Sequence, residues 1–121
     1  MPSRAGGNSF GRKERRLIEA PEYVPLGSVV SLECNNKKVM VIGRGLILGG
    51  VDEGEYYDYA FCLYPEGMLG DAVIYSNHEA IKTVHFSGFH DDEDAQALER
   101  IREALARIDV PRAHPQPLDP W

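Results

Sequence analysis

In the stretch EYVPLGSVVSLEC, Val30, Leu32 and Cys34 alternate with Ser31 and Glu33, a period of two that predicts a half-buried strand. Asn35 and Asn36, a pair that tolerates positive φ, then supply a tight hairpin turn into KVMVIGRGLIL. This second strand is apolar on both faces through Val39, Met40, Val41 and Ile42, and Gly43 and Gly45 are expected to mark a bulge or bend. GGVDEGE, residues 49–55, has no apolar period and reads as an exposed loop at the tip of a hairpin.

The next stretch, YYDYAFCLYPEG at 56–67, sorts by strand parity into Tyr57, Tyr59, Phe61 and Leu63 on one face and Tyr56, Asp58, Ala60, Cys62 and Tyr64 on the other. The first set is expected to face the core; the second is mixed, with small residues in its middle. The sequence after the Pro-Glu-Gly turn, DAVIYSNHEAIKTVHFSGF, reads as a short strand, one helical turn with Asn77 as its N-cap, and a last strand carrying Val84 and Phe86 inward. From His90 the period lengthens. Leu98, Ile101, Leu105 and Ile108 recur at three and four residues, which predicts an amphipathic helix of about five turns with Asp91, Asp92, Glu93 and Asp94 at its positive end.

These elements predict a mainly β (α+β) domain: a small antiparallel SH3-like barrel or a strongly bent sheet, with a C-terminal amphipathic helix. Residues 1–20 read as a flexible basic arm, 21–109 as the single folded domain, and 110–121, rich in proline, as a flexible tail in which Trp121 is exposed or docked on a partner. Charge divides along the same lines. The net charge is -6, yet Arg4, Arg12, Lys13, Arg15 and Arg16 gather in the arm, so the folded body is strongly acidic and disfavours nucleic acid and anionic lipid. No apolar run is long enough to span a bilayer and no secretory signal is visible, so a cytoplasmic protein is expected. Cys34 and Cys62, far apart and each within a strand, read as buried thiols.

Catalytic constellations are missing from the sequence. His78, His85, His90 and His114 share no metal-site spacing, and neither a metal nor a cofactor is expected. Ser76, His78 and Asp71 lie near one another without a nucleophile elbow, neither cysteine has a neighbouring cation, and GRGLILGG lacks a phosphate-binding glycine spacing. The chain is therefore expected not to be an enzyme.

PLGSVVSLE at 25–33, KKVMVIGR at 37–44, YDYAFCLYPEG at 57–67 and SNHEAIKTVHFSGF at 76–89, followed by an acidic helix start, occur in that order. On these motifs, covering residues 23 to 95, the chain resembles a bacterial family of small proteins known as domain of unknown function 4176. The resemblance implies company with type VII secretion components and secreted toxins, and hence a cytoplasmic chaperone or targeting adaptor for an exported toxin or effector. It carries no catalytic residue. The long basic arm and the proline-rich tail depart from the family pattern. A protein partner is expected, with homo-oligomerisation open, and the residues assigned to it are Tyr57, Asp58, Tyr59, Tyr64, Pro65, Glu66, Gly67, Leu98, Ile101 and Leu105. For the tyrosines a role in the fold and a role in binding weigh equally, and for the Pro-Glu-Gly turn the fold is favoured. The other readings are an immunity protein that blocks a toxin with its acidic surface, and a nucleic-acid regulator using the basic run at 12–16.

Overall fold

The alternation around Val30 builds a strand, β1 (Val29–Leu32), and the apolar run after it builds β2 (Lys38–Leu48). The computed structural model describes residues 20–33, 36–50, 54–108 and 110–111. The basic arm, Cys34, most of the proline-rich tail and Trp121 lie outside these residues. The tyrosine-rich stretch forms β3 (Glu55–Leu63); β4 (Ile74–Ser76), a 3-10 turn at His78–Ala80 and β5 (Ile81–Phe86) follow, and α1 (Asp92–Leu105) completes the fold.

All strand pairs are antiparallel, in the order β4-β3-β2-β1-β5. The two edge strands are joined by the 3-10 turn, and this fixes the curvature. The five steps from Ser76 to Ile81 reach about 17 Å when fully extended, and a 3-10 turn shortens them. The edges of a flat five-stranded sheet would lie about 19 Å apart. The sheet must therefore curl to bring β4 and β5 towards each other, helped by a hydrogen bond from the Glu33 N–H to the Ala80 carbonyl at 2.9 Å. β4 and β5 do not pair, so the architecture is the bent sheet and not the closed barrel.

Val30, Leu32, Val39, Val41, Tyr59, Phe61 and Leu63 fill the concave side, joined by Tyr23 and by Leu98 of α1. A second cluster gathers Tyr56, Leu105 and Val110, and Ile101 packs against both. Each fully buried large side chain contributes about 1.5–3 kcal/mol relative to exposure. The helix thus spends its apolar stripe on the sheet.

Three expectations need correction, and the Asn77 cap holds in position with its amide used differently. Strict alternation placed Tyr57 with the core and Tyr56 opposite it, yet Tyr56 is fully buried and Tyr57 half-buried beside the Tyr75 ring. Burial here is set by what covers each ring: Leu105 of α1 and Val110 pack with Tyr56 in the second cluster. Val84 and Phe86 point to solvent, because β5 is an edge strand whose pairing with β1 carries two register shifts. Asn77 stands at the N-cap of the 3-10 turn but makes no side-chain cap bond; its amide is used elsewhere, as described below. Finally, α1 has 14 residues and stops at Leu105. Beyond it the bonds from Arg107 N to Ala104 O and from Ile108 N to Leu105 O are of the tighter i to i-3 kind, as the chain approaches Pro111.

Candidate functional site

β3 carries the residues that composition singled out, and the structure divides them into a buried joint and an exposed turn. At the joint, the Asp58 N–H donates to Asn77 Oδ1 at 2.9 Å, and the His78 N–H donates to Asp58 Oδ2 at 2.8 Å. This reciprocal pair staples β3 to the start of the 3-10 turn. The His78 N–H thereby offsets part of the cost of burying the Asp58 carboxylate completely.

Two phenols extend the joint. The Tyr59 hydroxyl accepts from the Val24 N–H at 2.9 Å and shares a hydrogen bond with His78 Nδ1 at 2.8 Å, and the two rings stack at 5.8 Å between centroids. Tyr23 meets Tyr59 edge to face and hydrogen-bonds to the Tyr56 hydroxyl. Burial pushes the Tyr56 phenol far up, reinforced by its bond to Tyr23 and by the Asp58 charge. Burial likewise raises Tyr59, partly offset by the Val24 hydrogen bond. Both phenols therefore stay protonated near neutral pH, where neither serves as a base or nucleophile. The joint holds β3, the 3-10 turn and the segment bearing Tyr23 together.

Asn77→Ala tests this assignment. It leaves the buried Asp58 N–H without its acceptor and should cost about 2 kcal/mol in urea unfolding. An exposed change such as Tyr64→Ser should stay within about 0.5 kcal/mol of the native chain. Equal effects at the two positions would remove the joint's structural role.

The exposed part is the turn after β3. Tyr64, Pro65 and Glu66 are exposed, Tyr64–Pro65 is a cis peptide, and Gly67 takes φ 81, a conformation that glycine adopts freely. The turn is pinned by bonds from Tyr64 N to Lys38 O, from Gly67 N to Leu63 O, and from Lys37 Nζ to Glu66 at 2.7 and 2.9 Å. Lys37 holds the Glu66 carboxyl below its ordinary range.

The residues assigned to a partner thus do not converge on one surface. Asp58, Tyr59, Leu98 and Leu105 are buried; Tyr57 and Ile101 are half-buried; Tyr64 to Glu66 are exposed. Sequence reasoning missed Tyr23 and His78 as members of the joint, and it missed Leu26 and Phe89, which are exposed with Phe86 around the end of β5. Among the described residues no group of three or more His, Cys, Asp or Glu could hold a metal ion. Cys62 is a buried free thiol. No helix among the described residues is long and apolar enough to cross a membrane.

A protein-family model described as "Domain of unknown function (DUF4176)" matches residues 23–97. The match spans the whole sheet and the first part of α1. No curated protein and no solved structure matches.

Proposed function

Because this chain belongs to the DUF4176 family, we propose that it is a non-enzymatic protein-binding accessory, a cytoplasmic chaperone or targeting adaptor for a type VII secreted toxin or effector. The observation that carries the binding part is the distribution of side chains. Polar groups at the centre of β3 are consumed by one another, whereas large apolar groups remain in solvent: Phe86 at 60 % and Phe89 at 78 % exposure. Exposed aromatics on a fixed sheet edge are a means of recognition, since they lose little conformational freedom on contact. The secretion context comes from the gene neighbourhoods that the sequence resemblance implies.

Co-expression of the tagged chain with the products of adjacent genes, followed by purification, tests the reading. Recovery of an exported protein in stoichiometric complex is the expected result; if none of the neighbouring products is retained, the reading fails. A survival assay separates an adaptor from an immunity protein, because only the latter protects cells from the isolated toxin domain.

A further inference from the structure

We propose that the free edge of β5, together with Leu26, Phe86 and Phe89, receives an extended segment of a protein partner in which apolar residues are flanked by lysine or arginine. This rests on the protein-binding reading above and gives it a surface and a ligand chemistry. β5 is the terminal strand of the sheet, pairing with β1 on one side only. Residues Lys82 to Phe86 are all exposed. A terminal strand offers a row of backbone donors and acceptors to an added strand, and apolar side chains along it select the addition.

The surface is built and not loose. Phe86 stands opposite Val29 in the β1 register. Beyond it, the Gly88 N–H donates to Ser28 Oγ at 2.9 Å, and a Cβ on Gly88 would lie 2.1 Å from the Leu26 carbonyl oxygen. That close approach fixes the segment bearing Phe86 and Phe89 against the loop bearing Leu26. Charge then chooses the occupant. Phe89 runs directly into His90, Asp91, Asp92 and Glu93, all exposed, so one end of the apolar surface is acidic. The strand's own cation, Lys82, directs its ammonium to Asn36 Oδ1 at 2.9 Å, towards the other end. A basic flank on the incoming segment is attracted to this end and an acidic one repelled. A second copy of the chain would bring another acidic end and a net charge of -6 to the same place.

Two synthetic peptides test the proposal on the full chain. They share an alternating valine and threonine core, and one is flanked by lysines, the other by glutamates. The lysine peptide should bind, and should slow hydrogen exchange at residues 81–86. Phe86→Ser combined with Phe89→Ser should weaken it about tenfold or more, and Asp92→Asn with Glu93→Gln should weaken it about threefold and flatten its salt dependence. These side chains are exposed, so the variants keep the fold, which unchanged urea unfolding verifies.

Equal affinity for both peptides, failure of both to bind, or binding indifferent to Phe86 and Phe89 overturns the surface. So does tight binding that appears only after residues 1–16 are deleted, which makes the chain's own basic segment the occupant. Concentration-dependent dimerisation abolished by the Phe86 and Phe89 changes assigns the edge to a second copy instead. A co-expressed partner retained equally by native and doubly substituted chains overturns the surface and leaves the protein-binding reading standing. Failure of every neighbouring gene product, with the lysine peptide still bound, does the reverse.

Discussion

Asp94→Ala is expected to lower the stability of the fold by about 3 kcal/mol, because it strands a buried cation. Arg44 Nη2 lies 2.5 Å from Asp94 Oδ1 and Nη1 lies 3.3 Å from Oδ2, with only 4 % of the Arg44 side chain and 13 % of that of Asp94 exposed. Arg44 leaves β2 opposite Tyr59, and Asp94 sits in the first turn of α1, where its N–H is already capped by Asp91 Oδ1 at 3.0 Å. The pair is the polar bolt between helix and sheet. Thermal unfolding reads the effect, and at this size a loss of about 3 kcal/mol lowers Tm by more than about 10 °C. Joint replacement of the pair by Met at 44 and Leu at 94 should cost less than Asp94→Ala alone, since no charge is then left buried. A larger loss in the double variant would refute the account.

The same pair sets an acid limit. The Arg44 hydrogen bonds, helped by His90 Nδ1 at 2.8 Å, hold the Asp94 carboxyl below the usual carboxylate range. A depressed folded value means stability that is fully present above the unfolded pKa of about 3.9 and is lost as pH falls through the folded one. The difference between the native chain and Asp94→Asn should therefore be constant from neutral pH down to about pH 5 and shrink only in stronger acid. A difference that vanished already at pH 6 would overturn the assignment to the Arg44–Asp94 pair.

Gly45→Ala is the second large effect. Gly45 has φ 65, and an added Cβ would lie 2.6 Å from Ile101 Cγ2. The left-handed backbone costs a side chain about 1–2 kcal/mol, and forcing β2 off α1 adds about 1–3 kcal/mol. Ile101→Ala removes the obstructing methyl, so in that background Gly45→Ala should cost only the backbone share. The two changes should then be less than additive by about 1 kcal/mol or more in urea unfolding. Strict additivity would mean that the helix does not rest on this glycine.

How far the chain could be read follows from which signals are local. The helix stripe was legible because Leu98, Ile101 and Leu105 meet one surface at a fixed period, and β1 because Val30 and Leu32 alternate without interruption. The burial of Tyr56 and Tyr57 was misjudged because Leu105 and Val110, the side chains that cover Tyr56, come from far along the chain and leave no mark in β3 itself. Val84 and Phe86 were read as inward because an apolar alternation says that a face exists, not that anything covers it. The joint was half legible. Its Tyr-Asp-Tyr centre stood out, but Tyr23 and His78 reach it from 33 and 19 residues away along the chain, through contacts that no window of sequence contains.

Ala20 packs against both apolar clusters, and Val110 belongs to the second of them, with the Pro111 carbonyl bound to the Tyr56 N–H at 2.9 Å. The chain therefore enters and leaves the packed body side by side. Joining residues 20 and 111 by a short linker, and opening the chain instead in the exposed loop near Leu69, would give a permuted protein with the same sheet.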